Sequence, residues 1–62
     1  MDTLETIDYL EATYGIHQIA ASRAVRTAED TGMSAFSAGG QKTVTVIRDG
    51  SFGRYTYSVV ES

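Results

Sequence analysis

The chain has 62 residues, enough for one small domain. It contains no cysteine and one histidine, His17, so disulfides, thiolate metal sites and multi-histidine metal sites are excluded. Its 42% hydrophobic and 21% charged residues are typical of a folded domain, whereas its formal net charge of −3 is unlike that of most nucleic-acid-binding proteins.

Composition also bears on location and partners. No apolar run approaches the roughly 18 residues of a membrane span, and the acidic N-terminal segment is unlike a signal peptide. We therefore expect no membrane partner and a cytoplasmic location, in the host cytoplasm or the virion if the protein is viral. A core of this size rarely supplies more than about 3–5 kcal/mol, so we expect a homodimer or a complex with a larger partner.

Residues 3–14 are predicted to form an amphipathic helix. Asp2 and Glu5 have the spacing of an N-terminal capping box. Apolar residues then recur at helical spacing and predict one apolar stripe, made of Leu4, Ile7, Leu10 and Tyr14. Gly15 is expected to end the helix, because a glycine inside a helix costs about 1 kcal/mol relative to alanine.

A second helix is predicted over residues 17–30, ending before Gly32. Its apolar residues at helical spacing are Ile19, Ala20, Ala24, Val25 and Ala28. Residues 31–41, which include "MSAFSAGGQ", are small and show no strong period. They are predicted to be a linker without regular structure, held to the core by Phe36 or Met33.

From residue 42 onward the pattern alternates and predicts a β-hairpin over residues 42–60. "KTVTVIR" and "RYTYSVV" flank "DGSFG", which leaves open a two-residue turn at Asp49-Gly50 or a longer loop closed near Gly53. Either register places Val44, Val46, Tyr55, Tyr57 and Val59 on one face. The opposite face then carries Thr43, Thr45, Arg54, Thr56 and Ser58.

These elements predict an α+β fold in a single domain, residues 1–62. Two N-terminal helices are followed by a C-terminal β-hairpin. Because an isolated hairpin is marginally stable, its apolar face is expected to cover the helices.

Residues 15–26, "GIHQIAASRAVR", fit the turn and second helix of a helix-turn-helix. Small residues would face inward, namely Ala20, Ala21, Ala24 and Val25, while Gln and Arg side chains facing outward could pair with base edges. The stretch resembles the turn and recognition helix of the Cro-type phage repressors. "KTVTVIRDGSFGRYTY" is similar to the β-hairpin that follows in that family.

The resemblance implies a small transcription regulator that reads duplex DNA as a dimer. It implies base contacts from His17, Gln18, Ser22 and Arg23, and phosphate contacts from Arg26 and Lys42. In that family the hairpin helps to form the dimer.

Two other interpretations remain open. The second helix could be a small-residue helix packed on the hairpin, with its arginines solvated or paired with acids of the first helix. Alternatively, the chain could be a small structural or adaptor protein that docks through its hairpin, similar in outline to the head-to-tail joining proteins of tailed phages.

The strand over residues 54–60 is the predicted contact with a copy or partner. It has no proline and only Arg54 as a charge, so little prevents its edge from pairing with another strand. The expected interface residues are Arg54, Tyr55, Thr56, Tyr57, Ser58 and Val59.

No pattern predicts catalysis, so we expect no enzyme activity, cofactor or metal. "SAGGQKT" departs from a phosphate-binding loop because Gln41 separates the glycines from Lys42 and a strand follows. Tyr55 and Tyr57 alternate with Thr56, as a stacking platform for single-stranded nucleic acid would, but packing on the helices is the favoured role.

Overall fold

The computed structural model describes residues 1–62 and shows two helices followed by a three-stranded antiparallel sheet. Helix α1 spans Thr3–Tyr14 and α2 spans Gln18–Thr31. Strand β1 spans Met33–Ser37, β2 spans Thr43–Asp49 and β3 spans Thr56–Glu61. The strand order is β1-β2-β3, and both helices pack against one face of the sheet. The predicted α+β class and the C-terminal hairpin are confirmed. None of the helices is long and apolar enough to cross a membrane.

Local capping sets the helix ends. Asp2 and Glu5 form the predicted capping box at the start of α1, with Asp2 Oδ1 accepting from the Glu5 N–H at 2.8 Å. Gly15 ends α1 and Gly32 ends α2, both in the left-handed conformation that glycine adopts at little cost. His17 precedes α2 as its N-cap, so this helix begins one residue later than predicted.

The linker predicted over residues 31–41 is wrong, because residues 33–37 form β1. Strand β1 pairs antiparallel with β2, with Phe36 opposite Val44 and Ser34 opposite Val46. The Gly32 carbonyl accepts from the Arg48 N–H at 2.9 Å, so the chain enters the sheet as soon as α2 ends. Without β1, one edge of β2 would leave a row of backbone donors and acceptors without partners. Pairing with β1 satisfies these groups, so "MSAFS" forms a strand although its own strand propensity is weak.

The hairpin closes through a loop over residues 50–55, so the two-residue turn at Asp49-Gly50 is not formed. The Arg54 N–H donates to the Ser51 carbonyl at 2.8 Å and makes a turn around Phe52 and Gly53. Gly50 has φ +91°, and a Cβ built there would lie 2.6 Å from the Arg54 carbonyl oxygen. This position therefore requires glycine.

The core lies between α2, α1 and the inner face of the sheet. Its buried apolar residues are Leu10, Ala21, Ala24, Val25, Ala28, Val44, Val46 and Tyr57. Val59 and Tyr55 pack against it while partly buried, so the predicted assignment of hairpin faces is confirmed. Thr6 is also buried and donates its hydroxyl hydrogen to the Asp2 carbonyl at 2.6 Å.

Three apolar residues at helical spacing lie outside the core, and for Ala20 the predicted inward position is wrong. Leu4 is 73% exposed, Ile19 is 59% exposed, and Ala20 is exposed as well. With about 100° per residue, the inward side of α2 is centred on Ala21, Ala24, Val25 and Ala28, which turns Ile19 to the opposite side.

Candidate nucleic-acid interface

The exposed side of α2 carries a compact group of polar and basic side chains. Successive turns of the helix align Ile19, Arg23 and Arg26, because residues three and four apart share a face. Together with Gln18 and Ser22, these residues line one open concavity of about 350 Å³. We call this surface the α2 face. The structure therefore brings together Gln18, Ser22, Arg23 and Arg26, as the sequence predicted.

Neither arginine of the α2 face is tied to an acid. The single ion pair within 4.0 Å in the protein joins Lys42 Nζ to Glu61 Oε1 at 3.6 Å. Arg23 and Arg26 are both exposed, so their guanidinium groups are available for bidentate contacts with an anion or a base edge. The alternative in which they pair with acids of the first helix does not occur here.

Two residues predicted to contact DNA, Lys42 and His17, make other interactions in the structure. Lys42 lies outside the concavity and pairs with Glu61, whose second carboxylate oxygen accepts from the Tyr14 hydroxyl at 3.0 Å. His17 Nδ1 accepts from the Ile19 N–H at 3.1 Å and so caps α2. Because that nitrogen is used, a neutral His17 has only its Nε2–H left for a contact with a ligand.

Ile19 is the residue of this surface that the predicted set of contacts does not include. Its apolar spacing groups it with Ala24 and Val25, yet it lies beside Arg23 on the α2 face. The spacing of Ile19, Arg23 and Arg26 is the signal that could have placed it there. An exposed isoleucine amid Gln and Arg side chains could pack on an apolar group of a ligand, such as a thymine methyl.

The predicted interface residues are divided between the hairpin loop and β3. Arg54 and Tyr55 precede the strand, whereas Thr56, Tyr57, Ser58 and Val59 lie within it. Thr43 and Ser62 exchange two backbone hydrogen bonds, so the alternation of an antiparallel ladder directs the N–H groups of Thr56 and Ser58 toward β2. The outward N–H groups of β3 belong to Tyr57, Val59 and Glu61.

Part of that outward edge is already covered. The Tyr57 N–H donates to the Met1 carbonyl at 2.7 Å, and the Met1 amino group donates to the Tyr57 carbonyl at 3.0 Å. At the other side of the hairpin, β1 covers the edge of β2. A further strand could therefore pair with β3 only around Val59 and Glu61.

Comparison with protein-family models, with curated proteins and with solved structures finds no match to this chain.

Proposed function

We propose that the protein binds duplex DNA through the α2 face and acts as a small helix-turn-helix regulator. The observation that carries the proposal is the alignment of unpaired Arg23 and Arg26 with Gln18 and Ser22 on one exposed helix side. A helix that enters the major groove needs small residues behind it and hydrogen-bonding groups in front, and Ala21, Ala24 and Ala28 give α2 that close packing. The expected cytoplasmic location belongs to this proposal.

Within this proposal the polar residues have distinct roles. Arg23 and Gln18 read base edges, since Arg pairs with guanine and Gln with adenine through two hydrogen bonds each. Arg26 lies further from the start of the helix and neutralises a phosphate. Ile19, which lies beside Gln18 and Arg23, contacts a thymine methyl.

Fluorescence anisotropy with a labelled duplex at low salt tests the proposal. A mixed-sequence duplex reports phosphate binding, and a duplex selected from a random pool reports sequence reading. Arg23→Ala and Gln18→Ala are expected to weaken binding to the selected duplex by about 1–3 kcal/mol while changing mixed-sequence binding less. Arg26→Ala should weaken both equally and lower the salt slope by about 1.

Lys42→Ala is the matched control, because it removes one positive charge away from the α2 face. A wild-type protein that does not bind either duplex at low salt would refute the proposal. Equal losses in Lys42→Ala and Arg23→Ala would also count against it, since binding would then follow net charge instead of the α2 face.

Dimer formation is a second part of this proposal. The free edge of β3 at Val59 and Glu61 could pair with its copy, which would extend the sheet across a twofold axis. Sedimentation equilibrium over a wide range of concentrations measures this directly. If the protein is a folded monomer throughout that range, it does not dimerise, and DNA would be bound by one α2 face alone.

A docking module in a larger protein assembly is the second candidate function. The outer face of the sheet, which the helices do not cover, exposes Met33 and Val60 and leaves Ile47 half-buried opposite Met33. An uncovered apolar face on so small a protein favours a protein contact. If neither duplex binds and Val60→Lys reduces self-association at high concentration, this function replaces DNA reading.

A further inference from the structure

A second concavity shares no lining residue with the α2 face. It is lined by the first turn of α1, the last turn of α2, the hairpin loop and β3, with a volume of about 290 Å³. Its lining residues are Thr3, Glu29, Phe52, Gly53, Tyr55 and Tyr57. We call it the aromatic cavity, since three of its side chains are aromatic rings.

The rings of the cavity are held in a defined arrangement. Phe52 meets Tyr55 edge to face, with ring centroids 6.2 Å apart and planes at 88°. The Arg48 guanidinium lies over the Tyr55 ring, 4.6 Å from its centroid. The turn between Ser51 and Arg54 fixes the loop, so Phe52 is presented to solvent by ordered backbone although its side chain is 91% exposed. Core packing does not account for a phenylalanine in this position.

The one charged side chain that lines the cavity is acidic. Glu29 is its only charged lining residue, and no cationic nitrogen lies within 4.0 Å of the carboxylate. The Tyr57 hydroxyl donates to Glu29 Oε2 at 3.5 Å, which directs the carboxylate toward the rings. Glu29 also belongs to the last turn of α2, which has no basic residue of its own, and the negative end of a helix dipole favours a cation.

The Arg48 guanidinium shows how this region accommodates positive charge. Its Nη1 donates to the Glu29 carbonyl at 2.6 Å, and its plane rests on Tyr55. Arg48 thus contacts the Glu29 backbone carbonyl and the Tyr55 ring, whereas the Glu29 carboxylate and the Phe52 ring have no cation beside them. A carboxylate and an aromatic ring are the two kinds of group that attract ammonium ions, and the cavity contains one of each without a bound cation.

We propose that the aromatic cavity binds an organic cation, an alkylated or methylated ammonium group. Its methyl groups contact the Phe52 ring, and its charge lies near Glu29. The ammonium group could be part of a lysine side chain on a partner protein or of a free small molecule. This site is independent of DNA binding, because none of its residues belongs to the α2 face.

Titration of the protein with tetramethylammonium chloride, followed by two-dimensional NMR, tests the site. We expect saturable shifts at the Gly53 amide and at the ring protons of Phe52 and Tyr55. The neutral analogue tert-butanol has nearly the same shape and should cause none, and sodium chloride controls for ionic strength. Equal binding of tert-butanol would overturn the proposal, since an apolar contact would then be sufficient.

Matched variants separate the ring contribution from the charge contribution. Phe52→Leu keeps an apolar side chain without a π face, and Glu29→Gln keeps the shape without the charge. Each should weaken tetramethylammonium binding about three- to tenfold. Asp30→Asn makes the same change in charge one residue outside the cavity and should leave binding unchanged. Unchanged affinity in Phe52→Leu, or an equal loss in Asp30→Asn, would overturn the site.

The source of the ammonium group is found with two further probes. A short peptide carrying trimethyllysine and free choline share the same cationic head but differ in what surrounds it. Tighter binding of the peptide indicates a modified protein partner, whereas tighter binding of choline indicates a small molecule. Failure of both, together with the failure of tetramethylammonium, would refute the site.

Discussion

Met1 exchanges two backbone hydrogen bonds with Tyr57 and so occupies the outward edge of β3 at that residue. The inward edge, at Thr56 and Ser58, belongs to the ladder with β2. Thr56→Pro would therefore remove a donor within the hairpin. The Thr56→Pro variant therefore tests the folding of the hairpin. The residue at which a proline would test pairing of β3 with a second copy is Val59, because its N–H points outward.

Proline substitutions at neighbouring residues should differ sharply in effect. Ser58→Pro is expected to lower the free energy of unfolding by more than about 2 kcal/mol, because it removes a ladder hydrogen bond with Ile47 and distorts the strand. Val59→Pro should cost less, since its N–H points outward. Urea denaturation of both variants measures the difference, and an equal loss would show that the direction of the ladder is not as described.

The hairpin loop depends on glycine at residue 50. Gly50→Ala combines a positive φ with a Cβ that would lie 2.6 Å from the Arg54 carbonyl oxygen, so we expect a loss of about 3 kcal/mol. Gly53→Ala is the control, because its φ is also positive at +83° but a Cβ there meets nothing within 4 Å. It should cost only about 1–2 kcal/mol. Thermal denaturation of the two variants should rank them in this order.

Val46 tests the buried face of the sheet. Its side chain is fully buried, so Val46→Asp would place a carboxylate in the core without a partner and should unfold the free protein. Thr45→Asp, one residue earlier on the outer face, places the same group where solvent reaches it. We expect Thr45→Asp to keep native circular dichroism, and a folded Val46→Asp would show that the core can open locally.

Stability should fall at alkaline pH because of Tyr57. Burial raises the pKa of its phenol above 10.0, and the Glu29 carboxylate adds to this, while a Thr3 hydrogen bond and Arg48 act in the opposite direction. The unfolded chain therefore loses this proton at lower pH than the folded protein. The stabilisation is complete below pH 10 and is lost as the pH rises above it through the folded-state pKa.

Urea midpoints measured across this pH range check that expectation. Tyr57→Phe should reduce the alkaline loss of stability, and Tyr55→Phe, which also keeps an aromatic ring in the hairpin, serves as the control. A remaining slope is expected from Tyr14, because burial, followed by the hydrogen bond and charge of Glu61, also raises its pKa. An identical slope in wild type and Tyr57→Phe would contradict the assignment.

Features set by neighbours in the chain were predictable from the sequence. The ends of the helices follow from Asp2, Gly15 and Gly32, whose effects reach only a few residues. The alignment of Gln18, Ser22, Arg23 and Arg26 follows from helical periodicity alone. The faces of the hairpin follow from the alternation of side chains along a strand, which is the same in either register.

Features that depend on distant parts of the chain were not predictable in this way. Strand β1 exists because β2 offers it an edge, and nothing local in "MSAFS" specifies that pairing. Leu4 has the spacing of a core residue, but the inward side of α1 is centred on Thr6 and Leu10. The aromatic cavity joins Thr3, Glu29 and Phe52, which only the tertiary fold brings together.

The order β1-β2-β3 matches the order of the strands along the chain, so the sheet can assemble by pairing successive segments. Such local contacts carry a low entropic cost of loop closure and favour rapid folding. The contacts of α1 with β3 and of Met1 with Tyr57 join the opposite ends of the chain and carry the largest cost. We therefore expect α1 to dock last and to open first, which native-state hydrogen exchange would record as weaker protection of α1 than of β2 and α2.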